Sequence, residues 1–181
     1  MTRPLSVPGL PTLLRSINQA GAAHVSGDAL TIRAAAKTDW FVDPAGASVT
    51  HSAPALVMPA AGSWMLISRV SADHRATFDA AALVIPADQE NWAKLCLELS
   101  PGGEVMVVSV VTRGESDDSN SVPVEGGEVW LRISSLGRAF AFHASSDGQR
   151  WDPLPTSSDL SSRSAVVPHA HETISEHGTL A

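Results

Sequence analysis

The sequence predicts an all-β protein, an antiparallel sandwich or barrel, and three observations carry that expectation. Its apolar patterns repeat every two residues rather than every 3.6. Turn residues separate these runs at regular spacing. The one stretch with any helical pattern, residues 10–20, is short and bounded by proline.

The runs come in a clear order. Ala29-Leu30-Thr31-Ile32-Arg33 alternates, and residues 63–70 carry Trp64, Leu66, Ile67 and Val70. Residues 78–85 form an apolar run of small side chains. From Trp92 to Leu99, Ala93, Leu95, Leu97 and Leu99 alternate with Trp92, Lys94, Cys96 and Glu98. Residues 104–112 are rich in Val and read as a buried strand. Val129, Leu131 and Ile133 alternate with Trp130, Arg132 and Ser134, and residues 139–144 put Phe140 and Phe142 on one face. Between them stand Pro86-Ala87-Asp88, Pro101-Gly102-Gly103, Glu125-Gly126-Gly127, Leu136-Gly137 and Ser146-Asp147-Gly148, all with turn chemistry. The expected core is Leu95, Leu97, Val108, Val110, Leu131, Ile133, Phe140 and Phe142.

Composition bounds the rest. A chain of 181 residues, 44% hydrophobic and 17% charged, suits one domain with a packed core. A net charge of −7 argues against nucleic acid as a partner, because a phosphate backbone needs a basic face. Pro4, Pro8, Gly9 and Pro11 interrupt the N-terminal region, so no secretory apolar segment is expected, and no stretch is long enough for a membrane span. Cys96 is the single cysteine, which excludes an internal disulfide and favours the reducing cytoplasm. Three regions are expected: an N-terminal arm (1–23), the β domain (24–154), and a Ser- and His-rich, weakly ordered tail (155–181).

Six segments in register carry a family resemblance. They are Thr38-Asp39-Trp40-Phe41, Phe78-Asp79-Ala80-Ala81-Ala82-Leu83, Trp92-Ala93-Lys94-Leu95-Cys96-Leu97-Glu98, residues 110–117, Val129-Trp130-Leu131-Arg132 and residues 145–151. Together they resemble the concanavalin A-like domains of unknown function that include regulation-of-enolase proteins. The resemblance spans roughly residues 25–152. It implies a jelly-roll sandwich of two antiparallel sheets, usually a stand-alone cytoplasmic protein, and no settled activity. Family members continue past the Trp of the Asp-Gly-x-x-Trp turn into further strands, whereas this chain reads Asp152-Pro153-Leu154-Pro155 and then the tail. An unpaired sheet edge and a marginally stable or self-associating protein are therefore expected.

The alternation also suggests a site. With their leucines inward, the two tryptophan-bearing segments turn Trp92, Lys94 and Glu98, and Trp130 and Arg132, outward. If both strands share a sheet, these residues form one concave face, with Asp79 and Asp117 at its margin. Such a face suits a saccharide or other polar small molecule. The competing account is structural: cross-strand ion pairs among Lys94, Glu98 and Arg132, with the tryptophans covered by the N-terminal arm.

Other chemistry is less well supported. Glu98 stands alone on its segment, so the glucanase carboxylate pair is missing and no catalytic residue is assigned. His169, His171 and Glu172, or Asp117, Asp118 and Asn120, fall short of metal-site patterns, and neither metal nor cofactor is expected. Cys96 is a packing residue or, beside Lys94, a reactive thiol. The leading expectation is a non-catalytic binding module; the alternative is a regulatory domain that contacts a partner enzyme.

Overall fold

The computed structural model describes residues 4–18, 22–137 and 139–155, and the backbone alone of residues 167–171. The first strands are β1 (Arg15–Ile17), β2 (Ala23–Ser26), β3 (Ala29–Ile32), β4 (Trp40–Val42), β5 (Val49–His51) and β6 (Ala55–Val57). The long ones follow: β7 (Ser63–Ser71), β8 (Ala80–Pro86), β9 (Asn91–Leu99), β10 (Val105–Arg113), β11 (Glu115–Pro123) and β12 (Glu128–Leu136). Then come β13 (Phe140–Ser145), β14 (Asp152–Leu154) and β15 (Val167–His171).

Two main antiparallel sheets result. One has the order β11-β10-β9-β8-β15, the other β14-β13-β12-β7, with small two-stranded pairs at β1-β6, β2-β3 and β4-β5. The sheets pack face to face over a core drawn from both, including Leu83, Leu95 and Leu97 from the first and Leu66, Leu131, Ile133 and Phe142 from the second. Burying one such side chain is worth about 1.5–3 kcal/mol, so this layer is what makes the sheets cohere. Leu14 of the N-terminal arm is fully buried in the same core, and the Leu5 and Leu14 backbones exchange hydrogen bonds of 2.9 and 2.8 Å. The arm thus reaches into the fold and contributes β1 to it.

The five-stranded sheet is buried on its outer face as well. Residues 39–57, containing β4, β5 and β6, cross that face as a strap. Trp40, Ala53 and Ala55 of the strap pack on Ala82, Val84, Trp92, Cys96, Val108 and Val110. Two expectations change here. Val108 and Val110 face the strap, and Val107 and Val111 face the other sheet. An unbroken valine run has no alternation to set its phase. In addition β8, buried on both sides, is the small-residue run, because alanines let the strap approach.

Residues 115–123 form a nine-residue edge strand, which no apolar alternation in the sequence marked. β11 pairs with β10 through Arg113↔Glu115 around Gly114, whose φ of 72° suits the tight turn. Its charged, exposed side chains are those a sheet edge tolerates. The tail also departs from expectation. β15 pairs antiparallel with β8, Val167 opposite Val84 and His171 opposite Ala80, and so fills an edge expected to stand open. Pro168 is tolerated there because β15 is itself an edge. Residues 156–166 and 172–181, where the rest of the weakly ordered tail was expected, lie outside the described residues.

Candidate functional site

The strand order separates the residues expected to cluster. Trp92, Lys94 and Glu98 lie on β9 in the five-stranded sheet, and Trp130 and Arg132 on β12 in the four-stranded sheet. Leu95 and Leu97 meet Leu131 and Ile133 between the sheets, so the two outward sets point to opposite sides of the molecule. They do not form one face. The physical reason is non-local: period two says which residues point away from a core, not which sheet a strand joins.

On the four-stranded sheet, Trp130 and Arg132 serve the turn at residues 145–151. Asp147 Oδ1 accepts from the amides of Gln149 (2.8 Å) and Arg150 (2.9 Å) and from the Ser145 hydroxyl (3.0 Å). These bonds hold Asp147 below the ordinary carboxylate pKa. The turn then lies on β12. A Cβ on Gly148 would come within 3.1–3.3 Å of the Trp130 indole, and the Arg132 guanidinium stands 4.3 Å from the Trp151 ring centre.

On the five-stranded sheet Trp92 is wholly buried and unavailable for stacking on a sugar. The cover is the strap, not the N-terminal arm. Trp40 lies edge-on to Trp92 at 5.8 Å and stacks on His51 at 4.0 Å, while its indole Nε1 donates to the Ala53 carbonyl at 2.9 Å. The Val42 amide donates 2.9 Å to the Ser116 hydroxyl of β11 and anchors the strap's far side. Trp92 Nε1 and His51 Nε2 are buried with no partner among the described residues.

Lys94 is also buried, and its Nζ bonds Oδ1 of Asp39 at 3.0 Å. Burial works against the ammonium, but the acidic side chains around it, Cys96, Asp39 and Glu98, outweigh that and hold its pKa above the ordinary lysine value. Burial pushes the Cys96 thiol far up, so it is neutral, and Asp39 is the anion that keeps Lys94 charged. A neutral, wholly buried thiol is a packing group, not a reactive one.

Glu98 is the unexplained member. It sits two residues beyond Cys96 on the same outer face, half-buried, with no hydrogen-bond partner among the described residues. Burial raises its pKa to about 7, against the pull of Lys94 and with help from Asp39 and Asp118. Asp118 shares this face, since Val110 lies opposite both Asp118 and Lys94 in register. Asp117 stands opposite Val111 instead, on the other phase of β11. Asp79 is fully buried and ties down a turn, its Oδ2 accepting from the amides of Arg75 (2.9 Å) and Ala76 (2.7 Å). Neither belongs to the margin expected of it. Asp39 and His51 went unnoticed because only the tertiary fold lays the strap on β9. Asp118 was visible as a candidate oxygen ligand, but the face it points to was not.

The molecule is thus a two-sheet antiparallel β domain with one outer face covered by its own strap and, on that face, a carboxyl, Glu98, that has no hydrogen-bond partner among the described residues. The chain belongs to the family called "Protein of unknown function (DUF1349)", whose profile matches residues 17–164. It is 26% identical over 149 residues to "Regulation of enolase protein 1" of Saccharomyces cerevisiae, covering 78% of this chain and 74% of the yeast one. A solved structure of a functionally unknown protein from the same yeast matches with a TM-score of 0.81 and 24% identity over 92% of this chain and 90% of that one. The GH43 protein BlXynB from Bacillus licheniformis (K247S mutant) matches at a TM-score of 0.70 and 15% identity. That match covers 86% of this chain but 31% of the bacterial one, and shows a shared fold only.

Proposed function

We propose that this domain is a non-catalytic binding module of concanavalin A-like jelly-roll type, and that it takes a polar, hydroxyl-bearing small molecule at Glu98. The observation that carries this reading is Glu98 itself. A carboxyl raised to about 7 by burial, beside a buried Lys94, remains without a hydrogen-bond partner among the described residues. Titratable groups with strongly perturbed pKa values are a common mark of functional sites. Near neutral pH Glu98 can both donate to and accept from a hydroxyl, while exposed Asp118 accepts a second. A saccharide is the ligand class we favour, because the fold is shared with part of a GH43 protein. The name of the yeast relative, a regulator of enolase, also suits a protein that acts by binding.

The test is a thermal-shift screen of the full chain against neutral mono- and oligosaccharides at pH 7. A binding ligand raises the Tm saturably, since it stabilises the folded state alone. The shift is expected to vanish in Glu98→Ala. Equal shifts in wild type and Glu98→Ala, or none in either, count against the reading.

A further inference from the structure

The outer face of the four-stranded sheet carries a row with one residue from each strand. Ile67 lies opposite Arg132, Arg132 opposite His143, and His143 opposite Pro153. Their chain neighbours Leu66, Leu131, Ile133, Phe142, Ala144 and Leu154 face the core, so all four point outward. Directly opposite residues stand about 4.5–5.5 Å apart at Cβ, close enough for Arg132 and His143 to hold one group between them.

Neither side chain has an acceptor. Arg132 and His143 make no hydrogen bond or ion pair among the described residues, and Arg132 Nε and His143 Nδ1 are also sealed from water. The remaining nitrogens of both are therefore open to solvent. The Trp151 ring, 4.3 Å from the guanidinium, holds Arg132 in place but supplies no oxygen to it. Burial and the Arg132 charge both lower the His143 pKa, so two donors crowd together with no anion between them. On a chain of net charge −7, where carboxylates outnumber cations, a guanidinium without one suits an oxyanion from outside. The β7 side of this pair is apolar. Ile67 and Met65 are 43% and 59% exposed, and Ile67 also lines a recess of about 470 Å³ shared with Pro8, Leu10 and Met58.

We propose that Arg132 and His143 bind the phosphate group of a small organic phosphate monoester whose apolar body rests on Ile67 and Met65. The two terminal Arg132 nitrogens take two phosphate oxygens as a fork, and the imidazole N–H takes the third. The site lies on the opposite side of the molecule from Glu98, so either reading can fail alone.

The test is an NMR titration of the full chain at pH 7 and low salt with phenyl phosphate, inorganic phosphate and benzyl alcohol. Phenyl phosphate should shift β12, β13 and the Trp151 indole N–H saturably and leave β9 and β11 unchanged. It should bind about tenfold more tightly than inorganic phosphate, since its ring buries apolar surface. Benzyl alcohol, without the charge, should give no such shifts. Arg132→Gln should weaken phenyl phosphate about tenfold or more, the worth of a hydrogen bond to a charged group. His143→Ala, which leaves the Arg132–Trp151 contact in place, should also weaken it. Ile67→Ser should erase the preference over inorganic phosphate. Absent shifts in β12 and β13, equal shifts from benzyl alcohol, or binding that survives both Arg132→Gln and His143→Ala overturns the proposal. Binding lost in Glu98→Ala but kept in Arg132→Gln puts the phosphate on the other sheet and overturns it equally.

Discussion

Lys94 Nζ lies 3.0 Å from Asp39 Oδ1, and this contact ties the middle strand of the five-stranded sheet to the strap that covers it. Lys94 is buried, whereas the Asp39 side chain keeps 31% of its surface exposed. The pair is therefore asymmetric: one member can be rescued by water, the other cannot. Asp39→Asn strands a buried ammonium and should cost on the order of 3–5 kcal/mol, the usual penalty for breaking a buried pair. Lys94→Met leaves a carboxylate that water can reach and should cost clearly less. Urea unfolding of both variants checks the ordering; equal losses would refute the asymmetry.

Glu98 makes stability depend on pH in a stated direction. Its folded pKa of about 7 lies above its ordinary 4.5, so the folded state holds the proton more tightly than the unfolded chain. Stability from this group is therefore full below about pH 4.5 and falls as pH rises toward about 7. Glu98→Gln removes the titration. The variant should be more stable than wild type at pH 8, by on the order of 1–3 kcal/mol, and nearly equal to it at pH 4.5. Denaturant midpoints measured across that range provide the check.

Cys96, wholly buried with its pKa pushed up, should ignore thiol reagents while the protein is folded. An aromatic disulfide such as DTNB at pH 7.5 is expected to react only after denaturant unfolds the chain. Fast labelling of the native protein would mean that the strap opens readily.

Gly148 has φ of 72° and faces the Trp130 indole. Gly148→Ala adds a methyl where backbone and space both resist it, and should cost roughly 1–3 kcal/mol. Calorimetry measures the loss. An unchanged Tm would show that the turn can lift off β12 freely.

Leu97→Ala opens a cavity between the sheets and should cost about 2–5 kcal/mol, read from urea unfolding.

Along the chain, residues 92–99 and 129–134 announced their own inner and outer sides, because a strand's side chains alternate whatever it pairs with. Turn residues likewise marked most of the long strands, since turn conformations depend on local backbone preferences. The leucine core, the all-β class and the family were legible for those reasons. Residues 115–123 were not, because an edge strand with mostly exposed side chains needs no apolar alternation. Only the tertiary structure decided that β9 and β12 belong to different sheets, which sends Trp92 and Trp130 to opposite sides of the molecule. It alone laid Asp39, Trp40 and His51 over β9 and left Glu98 without a partner among the described residues. Strand pairing and strap placement are contacts between distant segments. Their energies depend on which surfaces meet, and no local pattern in one segment records the surface of another.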